Sequence, residues 1–73
     1  MTTYQTAEIR RWRREKNYIT GYVYNDPNDI WEDGEFFDID LDDQPSTILD
    51  QGRFFLLVTR ATIFKMDKDE QQR

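Results

Sequence analysis

From Tyr18 to Tyr24 the chain alternates, with Ile19, Gly21 and Val23 on one side and Thr20, Tyr22 and Tyr24 on the other. The period of two and the excess of β-branched and aromatic residues predict a strand. Gly21, in the middle of it, predicts a bulge or bend of the kind small barrels use to turn corners. Asn25 to Asn28 breaks this run, with Asp26-Pro27 favouring a turn. Ile30 and Trp31 follow as apolar islands, and Asp33-Gly34 is a hairpin signal. Glu35 to Leu41 alternates again. Phe37, Ile39 and Leu41 share one face; Phe36, Asp38, Asp40 and Asp42 share the other.

Arg53 to Thr59 is almost continuously apolar, which predicts a strand buried on both faces. Ala61 to Met66 returns to alternation, with Thr62, Phe64 and Met66 opposite Ala61, Ile63 and Lys65. Glu8 to Glu15 fits neither period well. A helix aligns Ile9, Trp12 and Lys16; a strand puts Ile9 and Trp12 on opposite sides. The strand is preferred, because Lys16-Asn17 then makes a tight turn into the next run. Gln44 to Thr47 reads as a loop around Pro45, and Asp50-Gln51-Gly52 as a further turn. Residues 1–6 and 67–73 are expected to be loose ends of a single domain spanning 1–73. Four to five short strands with turn signals every eight to twelve residues predict an all-β fold. The expected architecture is a small, strongly bent antiparallel barrel, SH3-like or OB-like.

Charge sharpens the picture. Asp26, Asp29, Glu32, Asp33, Glu35, Asp38, Asp40, Asp42, Asp43 and Asp50 follow one another without an intervening lysine or arginine. The basic residues lie outside that span, five of them within Arg10 to Lys16 and five from Arg53 onward. The net charge of −5 therefore averages over a basic front, an acidic middle and a near-balanced end. Such asymmetry bears on partners and not on fold.

Several chemistries are disfavoured. With no cysteine there is no disulfide and no thiolate metal site, and with no histidine the commonest zinc ligand and general base are missing. The spacing Asp38, Asp40, Asp42 resembles the start of a calcium loop. The sixth and twelfth positions, however, hold Asp43 and Leu49 instead of Gly and Glu. No nucleotide-binding glycine motif is present, and a barrel of this length leaves little room for a pocket of several hundred Å3. The chain is read as a non-enzyme without cofactor or metal. It has no membrane span and no signal peptide, so it is expected in the cytoplasm.

What remains is surface. On a strand, Asp38 and Asp40 stand about 6.6–6.8 Å apart on one face. Phosphates along a nucleic-acid strand are roughly 6–7 Å apart once backbone winding is added to the axial rise. A row of acids at that interval suits a protein groove built for DNA or RNA. A charged edge also keeps sheets from pairing with one another, which is the plainer account. Tyr22, Tyr24 and Trp31 are the aromatic candidates for anchors beside the acids. Arg10-Arg11-Trp12-Arg13-Arg14 with Lys16 offers two further possibilities. It neutralises the acidic segment, within the chain or in a homodimer, or it holds phosphates while Trp12 stacks a base. An acidic pI of about 4.5 argues against the last of these.

The runs Tyr18-Ile19-Thr20-Gly21-Tyr22-Val23-Tyr24-Asn25-Asp26, Glu32-Asp33-Gly34-Glu35 and Leu57-Val58-Thr59-Arg60-Ala61-Thr62-Ile63-Phe64 resemble small β-barrel proteins of phages and mobile elements. Tiny acidic proteins of that kind resemble inhibitors of host defence nucleases, including anti-CRISPR proteins that imitate DNA. The resemblance implies a basic partner surface, on a nucleic-acid-processing enzyme, met by Asp26, Asp29, Glu32, Asp33, Glu35, Asp38, Asp40, Asp42 and Asp43 with Tyr22, Tyr24 and Trp31.

Overall fold

The computed structural model describes residues 5–44 and 46–72. Residues 1–4, Pro45 and Arg73, parts of the expected loose ends and loop, lie outside the described residues. Six strands form: β1 (Ala7–Glu15), β2 (Tyr18–Tyr24), β3 (Glu35–Asp40), β4 (Thr47–Asp50), β5 (Phe54–Val58) and β6 (Ile63–Asp67). A short 3-10 turn, Lys68–Glu70, follows β6. The strands make one sheet in the order β3-β2-β1-β6-β5-β4. Every neighbouring pair is antiparallel except β1 and β6, which run parallel.

The all-β class matches expectation; the barrel of four to five antiparallel strands does not. Six strands are present, the sheet is mixed, and β3 and β4 remain as unjoined edges. The additional strand is β4, where Ile48 and Leu49 sit between two turn signals. Four residues are too few to display a period, and β4 exists because it pairs with β5 from Thr47↔Val58 to Asp50↔Phe55.

β1 shows why its sequence was ambiguous. Its pairing with β2 slips between Arg10 and Arg13, and Arg11 adopts φ 50. The extra residue of this bulge turns Ile9 and Trp12, three apart, onto the same inner face. Both are buried, Trp12 to 2% exposure. Gly21 lies opposite: a Cβ there would sit 2.3 Å from Ile9 Cγ2 and 3.1 Å from Trp12 Cβ. The glycine thus makes room for the bulge.

The inner face carries Ala7, Ile9, Trp12, Ile19, Val23, Phe37, Ile39, Leu57, Phe64 and Met66 as one core, with Trp31, Leu41, Ile48 and Phe55 packed against it. Trp12 meets Phe55 edge-on at 5.9 Å and donates its indole N–H to the Asp67 carbonyl at 2.7 Å. Leu56, at the centre of β5, is buried outside that cluster, so β5 is covered on both sides as expected. The charged segment after β6, expected to be loose, is bonded to β1. Gln72 N–H donates to Trp12 O at 2.7 Å, Trp12 bridges Gln71, and Glu70 accepts the N–H of Arg11 at 3.1 Å.

Candidate partner-binding surface

β3 is an edge strand, and its alternation fixes where its acids stand. Phe37 and Ile39 point into the core, which forces Phe36, Asp38 and Asp40 onto the outer face. Beyond the strand, Leu41 N–H is held by the Asn17 carbonyl at 2.8 Å, and the chain turns. Asp40 caps that turn by accepting the N–H of Asp42 at 2.9 Å, while Asn17 Nδ2 donates to Asp42 at 3.1 Å. Asp43 follows, exposed. The row at this end is therefore Asp38, Asp40, Asp42, Asp43. Tyr18 donates its hydroxyl to Asp38 at 2.6 Å; that hydrogen bond, with the neighbouring acids, raises the tyrosine's pKa.

The loop from Asn25 to Gly34 supplies the other end. Asp29, Glu32 and Asp33 are exposed on it, and Glu35 opens β3. Asp33 accepts Asn25 N–H at 2.8 Å and Glu35 accepts Glu32 N–H at 3.1 Å. Gly34, at φ 86, closes the loop by donating to Val23 O at 2.7 Å. Asp33-Gly34 is thus the closing corner of a longer connection and not a two-residue hairpin turn.

Asp26 departs from expectation. It is only 7% exposed and accepts three backbone N–H groups: Asn28 at 3.0 Å, Ile30 at 2.8 Å and Trp31 at 3.0 Å. Burial by itself pushes its carboxyl up, but those three donors prevail and hold it below the usual range. Asp26 organises the loop and offers no charge to a partner. Asp50 leaves the row as well, since it lies on β4, the opposite edge. There Lys68 at 2.9 Å and Gly52 N–H hold its pKa down. Asp29, Glu32, Asp33, Glu35, Asp38, Asp40, Asp42 and Asp43 remain, strung along β3 and the segments at its two ends. Among the described residues, no three carboxylates gather as metal ligands do.

The aromatic candidates divide. Tyr22 and Tyr24 are on the outer face, half-buried, each beneath a guanidinium: Arg11 lies 4.5 Å from the Tyr22 ring and Arg10 4.5 Å from that of Tyr24. Tyr22 also meets Phe36 at 5.8 Å. Trp31 belongs to the core side, edge-on to Phe37 at 5.4 Å and to Phe64 at 6.4 Å. It is a cover for the core and not an anchor beside the acids. The exposed rings next to the acids are Phe36, 54% exposed, and Tyr18, 41% exposed. The alternation of Glu35 to Leu41 already places Phe36 with Asp38 and Asp40, which was the available signal.

The basic cluster is one strand removed. β2 separates β1 from β3, so the cationic and anionic rows stand two strand spacings apart, about 9–10 Å. Arg10 pairs with Glu8 of its own strand at 3.6 Å. Trp12 is buried, so it has no face to offer a nucleic-acid base. A groove of about 560 Å3 lies between the β3–β4 connection and the β5–β6 turn, larger than the expected fold would leave. Its Ser46 and Thr59 hydroxyls donate to the backbone carbonyls of Gln44 and Thr62. No membrane-spanning helix occurs among the described residues. Comparisons of the chain with protein-family models, curated proteins and solved structures found no match.

Proposed function

We propose that this protein is a non-enzymatic inhibitor that imitates nucleic acid, docking its β3 edge on the basic, nucleic-acid-binding surface of a partner such as a host defence nuclease. The observation that carries the proposal is the edge strand β3 with Glu35, Asp38 and Asp40, flanked by Asp29, Glu32 and Asp33 before it and Asp42 and Asp43 after it, in a span that contains no lysine or arginine. Asp38 and Asp40 repeat at about 6.6–6.8 Å on that edge, close to a phosphate interval. Long-range attraction between such an edge and a basic groove speeds encounter, toward 10⁸ M⁻¹s⁻¹ or about that order at low salt. Phe36 and Tyr18, beside the acids, supply the apolar area that charge alone lacks, and Tyr22 backs Phe36.

The test begins with tagged protein as bait in its native host. A partner is expected to be retained at low salt and released by a DNA or RNA oligonucleotide. The bait carrying Asp38→Lys, Asp40→Lys and Asp42→Lys together is expected to bind that partner about 100-fold more weakly or worse. Retention undiminished by the triple reversal ends the proposal.

A second reading has one observation in its favour: rows of opposite sign share the outer face, on β1 and β3. Two copies can lay the basic row of each on the acidic row of the other, giving a homodimer held by charge. Sedimentation across a salt series decides it. Such a dimer dissociates as salt rises, because exposed charges are screened.

A further inference from the structure

The sheet has two open edges, and they are not alike. β3 exposes Glu35 and Asp38, which repel any second β3 laid beside them. β4 has no strand on its far side among the described residues, and its Thr47, Leu49 and Asp50 are exposed. Edges are ordinarily blunted by charge, proline, a bulge or a cover. The pairing of β4 with β5 runs without a register shift, and its charged residue, Asp50, already holds Lys68 at 2.9 Å. Leu49, 43% exposed, stands opposite Leu56 on the outer face. Shortness is the restraint this edge carries.

The bonding phase of β4 decides which groups it offers. Gln51 N–H donates to the Phe54 carbonyl at 2.9 Å, one step beyond the ladder pair Asp50↔Phe55. Bonded and non-bonded pairs alternate along an antiparallel ladder. Leu49 and Thr47 therefore turn their N–H and C=O groups toward β5, and Ile48 and Asp50 turn theirs outward. When a second β4 lies antiparallel beside the first, Ile48 of one copy faces Asp50 of the other, and each such pair exchanges both N–H···O bonds. Leu49 then falls on the twofold axis in the non-bonded pair, its Cα about 4.5 Å from that of its own copy. The exposed leucine covers itself.

We propose that β4 is a self-pairing edge, through which two copies of this chain join into one continuous sheet about a twofold axis. A foreign strand can meet the same outward groups; a second β4 meets both them and Leu49. The acids of β3 then lie at the two far ends of the joined sheet, away from the seam. Each copy carries a net charge of −5, so added salt screens the repulsion between copies and tightens this dimer, whereas the charge-held dimer described above loosens. The seam uses neither the β3 acids nor the basic row, so it stands or falls apart from the docking proposed above.

The experiment is sedimentation equilibrium of the full chain from about 10 µM to about 1 mM, at about 50 and about 300 mM salt, with NMR of the same samples. A seam this short buries less than the roughly 1,200 Å2 of stable complexes, so a dissociation constant of about 0.1 mM is expected, smaller at the higher salt. Hydrogen exchange at the Ile48 and Asp50 amides should slow as concentration rises. A half-labelled mixture should show contacts between the Leu49 methyl groups of different copies. Leu49→Lys, at an exposed position, sets two ammonium groups against each other on the axis. It should weaken the dimer about tenfold or more with the β1–β3 resonances in place. If Leu49→Lys disturbs the fold, the amide protection and the Leu49 contacts of the parent decide. A monomer up to about 1 mM at both salts, a range that reaches well past the affinity expected, overturns the proposal. So does a dimer that Leu49→Lys leaves intact, or one that is lost as salt rises. Protection of Ile48 and Asp50 that appears only on adding a protein captured from the host assigns the edge to a foreign strand and overturns it as well.

Discussion

Two residues organise their surroundings out of proportion to their size, and both are open to test by single substitutions. Gly21 faces the β1 bulge with no room for a Cβ beside Ile9 and Trp12. Gly21→Ala is expected to destabilise the fold by about 1–3 kcal/mol, as overpacking does. The urea midpoint should fall while the slope is unchanged. Asp26 holds three backbone N–H groups of the β2–β3 loop, and removing that acceptor with Asp26→Ala should cost about 1–3 kcal/mol. Its folded pKa is depressed, so its stabilisation is complete above the unfolded value of about 3.9 and is lost as pH falls through the lower, folded one. Acid titration of stability should therefore be less steep in Asp26→Asn than in the parent below about pH 4. Gly21 was legible in part: a glycine inside a strong strand pattern asks for an explanation, but the bulge expected there lies in β1, opposite it, and β2 runs regularly past Gly21 against β3. Asp26 was not, because one carboxylate in a run of acids looks like the rest. Its only distinguishing mark is the turn-forming Pro27-Asn28-Asp29 that follows.

At the level of elements, local pattern and long-range pairing part company. β2 appears with the bounds its alternation predicts, and β3 puts its acids on the face its alternation predicts. β4 is the short arm of a hairpin with β5, so its Asp50-Gln51-Gly52 turn was legible although four residues show no period. The docked C-terminal segment exists through partners far along the chain, and nothing in Asp67–Gln72 announces them. The β2–β3 pair carries its own reporter. Tyr18 bonds Asp38 across the two strands, and its raised pKa keeps the phenol neutral to higher pH. Stability from that bond is complete below the unfolded value of about 10 and is lost as pH rises through the folded one. Ultraviolet titration should show Tyr18 ionising at lower pH in Asp38→Asn than in the parent. The C-terminal segment is tested by a chain ending at Asp67. Without Glu70 and Gln72, the amide of Arg11 loses its acceptor and the carbonyl of Trp12 its donor. Hydrogen exchange at Arg11 and its neighbours in β1 should accelerate about tenfold or more, while β2–β3 amides stay protected.

Across the whole molecule, the all-β class and the outward acids of β3 were legible because both rest on period-two patterning. The unclosed, mixed sheet was not, because it depends on β1 meeting β6. The fold gathers an acidic stretch of sequence along one border of the sheet: β3 and its flanking turns carry the acids, the basic row lies two strands away, and β4 ends the sheet with Asp50 already paired. Docking through such an edge should weaken steeply with added salt, a dependence that surface plasmon resonance between about 50 and 300 mM salt measures directly. The β1–β6 pairing also has a consequence in time. β1 and β2 are joined by the Lys16-Asn17 turn and can zip together early, whereas the other side of β1 stays bare until Ala7 finds Phe64. Completion of the sheet waits on that non-local pairing, a search that places β-rich domains in the millisecond-to-second range or about there.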